Sequence, residues 1–154
     1  LQPIVGLLRL DWHARGLADV GEGVLIGDGR CWVRLTKSGP ANELGYPTII
    51  DARAGPFQGA VLDETVGVEP FRTQLIALHK TLKGEAKLSS YEGLEVVLVG
   101  NGRGGIGVHV QIVADHVAPI RLKFSFGIDQ SYLPAVIQQI DAEFPPPYRV
   151  EIAP

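Results

Sequence analysis

Apolar positions along this chain repeat with two periods, and the places where the period changes mark out its elements. In LLRLDWH, Leu8, Leu10 and Trp12 alternate with Arg9, Asp11 and His13, the period of two expected of a half-buried strand. Residues 14–29, ARGLADVGEGVLIGDG, hold too many glycines for a helix and read as a long loop with a short extended piece. RCWVRLTK alternates again and sets Cys31, Val33 and Leu35 against Trp32, Arg34 and Thr36. After the loop KSGPANELGYP, the run TIIDARAGPFQGAVLDE reads as two short strands broken at Gly55-Pro56.

The period then lengthens. In VEPFRTQLIALHKTLKGE, Phe71, Leu75, Leu78 and Leu82 form one stripe of an amphipathic helix. Pro70 suits its first turn and Gly84 its C-terminal stop, with Lys80 and Lys83 near the negative end of the dipole. Alternation returns over residues 86–91, 94–99 and 106–114. It continues in IRLKFSFG, with Ile120, Leu122, Phe124 and Phe126 facing in. SYLPAVIQQIDAEF carries a second helical stripe of Leu133, Val136, Ile137, Ile140 and Phe144, with Tyr132 at its start and Ser131 as the expected N-cap.

Short links between consecutive strands favour antiparallel pairing over βαβ crossovers. The expected fold class is α+β: an antiparallel β-sheet with two amphipathic helices packed on it. At 154 residues the chain is expected to form a single domain, residues 1–154.

One stretch interrupts this reading. GNGRGGIG, residues 100–107, satisfies G-x-G-x-x-G twice. A dinucleotide site needs a helix opening directly after the glycines, because the helix N-terminus supplies the amides that hold pyrophosphate. Here Val108, Val110 and Ile112 alternate with His109 and Gln111, so a strand follows. Asn101-Gly102 between alternating runs is a hairpin signal, and Arg103 is the only charge of the tip.

Charge and composition narrow the function. The net charge of −3, with no basic run, argues against nucleic acid as a direct partner. The single cysteine, Cys31, excludes an intramolecular disulfide and a cysteine-based zinc site, and fits a reducing compartment. No stretch approaches the length of a membrane-spanning helix. No G-x-S-x-G or H-E-x-x-H spacing occurs among the serines or among His13, His79, His109 and His116. The pairs Asp63-Glu64 and Asp141/Glu143 read as a solvated turn and the polar side of a helix. No catalytic, cofactor-binding or metal-binding residue is assigned, and the chain is not expected to be an enzyme.

The most distinctive stretch is IRLKFSFGIDQSYLPAVIQQI. Its Phe124, Phe126, Asp129, Gln130, Ser131, Tyr132 and Leu133 resemble the F-x-F-x-x-D-Q-S-Y-L junction of WapI-type immunity proteins. Upstream, Phe57, Phe71, Leu75, Leu78, Leu82 and Gly84 are similar in pattern to the same family, over about residues 30–144. The resemblance implies a cytoplasmic, non-enzymatic protein that protects its producer by occluding the C-terminal nuclease domain of a polymorphic, contact-dependent toxin. The matching residues look structural and carry over no active site.

A basic partner is steered by acidic groups, so Asp11, Glu22, Asp28, Asp63 and Glu64 are the candidate partner-binding residues. The alternative is a small-ligand or metal-binding α+β domain using His13, His109 and neighbouring acids on the open sheet face. A homodimer pairing sheet edges is the third possibility.

Overall fold

The structure is a computed structural model and describes residues 22–145. The strand expected at LLRLDWH lies outside them, as does the first half of the loop expected to follow. Among the described residues eight strands pair in chain order, every neighbour antiparallel: β1 (Val24–Asp28), β2 (Cys31–Lys37), β3 (Tyr46–Ala54), β4 (Phe57–Val66), β5 (Lys83–Ser90), β6 (Leu94–Asn101), β7 (Gly105–Asp115) and β8 (Ile120–Asp129). Helix α1 (Val68–Thr81) joins β4 to β5, and α2 (Leu133–Glu143) follows β8 after a 3-10 turn at Gln130–Tyr132. The α+β class read from periodicity is what the structure shows.

Inward positions of β1–β3 and β5–β7 share one core with both helices. Val33, Leu35 and Ile50 meet Val96, Leu98, Val108, Phe71, Leu75, Leu133 and Ile140 in a single buried cluster. Truncating a fully buried aromatic such as Phe71 to alanine costs about 4 kcal/mol.

The ladder is uneven. β3 and β4 pair from Ala54↔Phe57 to Tyr46↔Thr65, whereas β4 and β5 pair only at Thr65↔Ser90 and Val66↔Ser89. This seam leaves two groups of strands that share little backbone pairing. Their far edges come near each other. A Cβ on Gly27 of β1 would lie 2.6 Å from the Phe126 ring of β8, so only glycine fits that approach.

The helices cover strand edges as well as the core. Gln139 of α2 accepts the Leu25 N–H of β1 at 2.9 Å. Gln74 of α1 accepts the Lys87 N–H of β5 at 2.8 Å. Glu143 accepts the Lys37 N–H at 2.6 Å, and Asp141 takes a forked contact from Arg72, at 2.6 Å from Nε and 3.1 Å from the outer nitrogen. The acids expected on a solvated helix side thus tie α2 to β2 and to α1.

Several local expectations are corrected. Helix α1 ends before Gly84, because Leu82 takes the left-handed C-cap conformation (φ 64°) and donates its N–H to Leu78 O at 2.7 Å. Ser131 is not the cap before α2. The N-cap of α2 is Tyr132, which makes no side-chain cap bond, and Pro134 follows in the first turn; Asp129 caps the preceding 3-10 turn, accepting the Ser131 N–H at 2.9 Å. Tyr132 is exposed and does not open the buried stripe, which begins at Leu133. Asp63-Glu64 lie within β4 and not in a turn. Arg34 and Asp51, opposite each other on the face that alternation assigns to solvent, are buried at 5% and 4% exposure.

The glycine stretch is the expected hairpin between β6 and β7. Its tip is docked on both sides: Gly102 N–H donates to Leu82 O, and Gln130 N–H to Gly104 O, both at 2.8 Å. Asn101 Oδ1 accepts from the Arg103 and Gly105 amides within it. A Cβ on Gly100 would lie 2.4 Å from Leu82 O, so close backbone approach requires glycine there as well.

Candidate partner-binding surface

The seam between β4 and β5 is closed by one carboxylate. Asp63 accepts the hydroxyl of Ser90 and the amides of Glu92 and Gly93 at 3.1 and 3.0 Å. Ser90 Oγ in turn accepts the Leu94 N–H at 2.7 Å. A carboxylate gathering several donors fixes the turn it binds, here the β5–β6 turn against β4. Tyr91 adds its N–H to the Glu64 carbonyl at 2.7 Å. His116 of the β7–β8 turn comes within 3.0 Å of the Glu92 carbonyl through Nε2. Asp63, Glu64, Tyr91, Glu92 and His116 therefore meet at one end of the second group of strands.

Beyond the seam β4 runs on alone. The Glu64 carbonyl faces the β5 side, where Tyr91 meets it. In an antiparallel strand that direction recurs at every second residue. Gln58, Ala60 and Leu62 therefore direct their N–H and C=O groups the same way, away from β3, and among the described residues no strand lies on that side of them. Phe57 is 67% and Leu62 76% exposed, and Gln58, Gly59 and Ala60 are exposed between them. The segment FQGAVL contains no charge and no proline, the usual guards of an edge.

The acids expected to face a partner do not form one patch. Asp11 lies outside the described residues. Glu22 is half-buried and engaged. Asp28, at the tip of the β1–β2 hairpin, accepts the Tyr132 hydroxyl at 2.6 Å. That contact, with the Asp28 charge, raises the Tyr132 phenol above its ordinary value. Asp63 and Glu64 lie at the other end of β4, six strand positions beyond Phe57 for Asp63, which is about 20 Å along the strand. Asp63 directs its oxygens into the fold.

The core of the DQSYL junction acquires a physical reading at the same corner. Asp129 caps, Gln130 docks the glycine hairpin, Tyr132 reaches Asp28 and Leu133 is buried. Hydrogen bonds from Ser131 hold the Asp129 carboxyl below the usual carboxylate range.

His109 is exposed, with Nδ1 2.8 Å from Ser125 Oγ on β8, and His79 is exposed on α1. His13 lies outside the described residues. Among the described residues no group of three or more His, Cys, Asp or Glu is arranged to hold a metal ion. An open groove of about 560 Å³ runs between the β2–β3 loop and the start of α1, lined by Asn42, Glu43, Leu44, Gly67 and Glu69 among others. No helix among the described residues is long and apolar enough to cross a membrane.

Periodicity missed two features here. Asp63 binds groups almost thirty positions downstream, and the open edge depends on where a neighbouring strand departs. Neither leaves a local signal.

No curated protein and no solved structure matches the chain. The model of the WapI-like immunity protein family matches residues 50–146, from the middle of β3 past the end of α2, and includes the seam, both helices and the DQSYL junction. The chain belongs to the WapI-like immunity protein family.

Proposed function

We infer that this protein neutralises a polymorphic toxin in the cytoplasm of the cell that makes it, by binding the toxin's C-terminal nuclease domain and occluding its active site. The family match over residues 50–146 carries this reading. Action is by binding and not by turnover. Asp11, Glu22, Asp28, Asp63 and Glu64 are proposed to steer a basic partner. A carboxylate keeps its charge while accepting hydrogen bonds, so Asp28 and Asp63 contribute to the field although their oxygens are engaged.

The test is a search of the neighbouring reading frames for a large secreted protein, followed by coexpression of its C-terminal domain with this chain. The expected result is a stable copurifying complex and rescue of growth from that domain's toxicity. A domain that stays toxic and fails to copurify overturns the reading.

A further inference from the structure

We propose that the open edge of β4 pairs with the same edge of a second copy, forming a two-fold antiparallel β-ladder centred on Ala60. Other sheet edges among the described residues carry guards. β1 is capped by Gln139 and β5 by Gln74. β8 carries Arg121 and Lys123 and approaches β1. Among the described residues, Phe57–Leu62 leaves consecutive outward amides and carbonyls on an exposed, uncharged stretch, the arrangement that recruits another strand.

The ends of this segment set the register. The hairpin tip Gly55-Pro56 closes it on one side, and Tyr91, bonded to Glu64 O, stops it on the other. A full-length antiparallel match between these stops sets Phe57 against Asp63 of the second copy, and Ala60 against its own counterpart on the axis. Gln58, Ala60 and Leu62, whose groups point outward, become the hydrogen-bonded positions. Each Gln58 faces Leu62 of the other copy and each Ala60 faces Ala60.

The side chains suit that register. Gly59 has nothing within 4 Å of where its Cβ would be, so the axis is open for Phe57 to lie diagonally beside Val61 of the second copy. The charges suit it too. Arg30 and Arg53 flank the hairpin end of β4, while Asp63, Glu64 and Glu92 gather at the other end. Two-fold pairing brings the basic end of each copy to the acidic end of the other. Isologous contacts of this kind close on themselves and do not polymerise.

The contact is one strand wide, so dilution dissociates it. Sedimentation over a concentration series, with amide hydrogen exchange at its two extremes, tests the proposal on the full chain. The expected result is a monomer–dimer equilibrium, with the Gln58, Ala60 and Leu62 amides slowed about tenfold at high concentration. Ala60→Pro removes an outward donor without touching the β3 ladder, and it should give a folded monomer. Should that variant fail to fold, Ala60→Lys decides, because it sets two ammonium groups across the axis from an exposed position.

Three results overturn the proposal: a monomer throughout, a dimer undiminished in the folded variant, or concentration-dependent protection elsewhere. Protection of this edge only on adding the toxin domain would also overturn it and assign the edge to the toxin.

Discussion

Tyr132 donates its hydroxyl to Asp28 at 2.6 Å, joining the turn before the last helix to the β1–β2 hairpin across 104 positions of chain. The bond spans the corner where β1 and β8 approach without a shared ladder. Asp28 raises the Tyr132 phenol, first through the hydrogen bond and then through its charge. In Asp28→Ala the phenol should therefore titrate at lower pH than in the wild type, as followed by phenolate absorbance. Amides of the 3-10 turn should exchange faster in the same variant.

Asp63→Ala should destabilise the fold by about 2 kcal/mol, since it strands the buried Ser90 hydroxyl and frees the Glu92 and Gly93 amides. Denaturant unfolding measures the loss. Asp63→Asn retains one acceptor oxygen and should lose less. If Asp63 served only a partner, neither variant would move the midpoint.

The glutamines that cap strand edges make a paired prediction. Gln139→Ala and Gln74→Ala should each cost about 1 kcal/mol. Exchange at the Leu25 amide should rise in the first variant and at the Lys87 amide in the second. Each effect should stay on its own edge, because the two glutamines sit on different helices.

Asp51 gives stability a pH dependence. Burial raises its carboxyl to about 7, against the opposing pull of the Arg34 charge and the Ala52 backbone. Between the ordinary carboxylate range and about pH 7 the folded chain holds a proton at Asp51 that the unfolded chain has released. Its contribution to stability is therefore full at low pH and is lost as pH rises through that window, by up to about 1.4 kcal/mol per pH unit. Asp51→Asn should remove this slope from a thermal-melt series between pH 4 and 7 and leave other carboxylates to set what remains.

Steering by acids is separable from contact. Charge reversal at Asp28 or Glu64 should slow association with a basic toxin domain several-fold and flatten its salt dependence, with little change in dissociation. Stopped-flow mixing at two ionic strengths reads both. An unchanged association rate removes these acids from the encounter.

Across the described residues the sequence by itself determined which segments are strands and which are helices. Alternation at Val33 and Leu35, and again at Val108 and Val110, reports that one face meets a core. The spacing of Phe71, Leu75 and Leu78 reports a helix, and all of these side chains are buried. The strand after GNGRGGIG is legible for the same reason and excludes a phosphate cradle. The tertiary structure decided the rest. Nothing in FQGAVLDETV says that only its last two residues meet β5, since that depends on where α1 leaves and where β5 returns. Nothing local makes Asp63 the clamp of a distant turn, or buries Arg34 against Asp51 on the polar side of an alternating strand. Periodicity records whether one side of a segment is dry. Edge pairing, capping and polar burial depend on neighbours far away along the chain, and those neighbours exist only once the sheet has curled and the helices have docked.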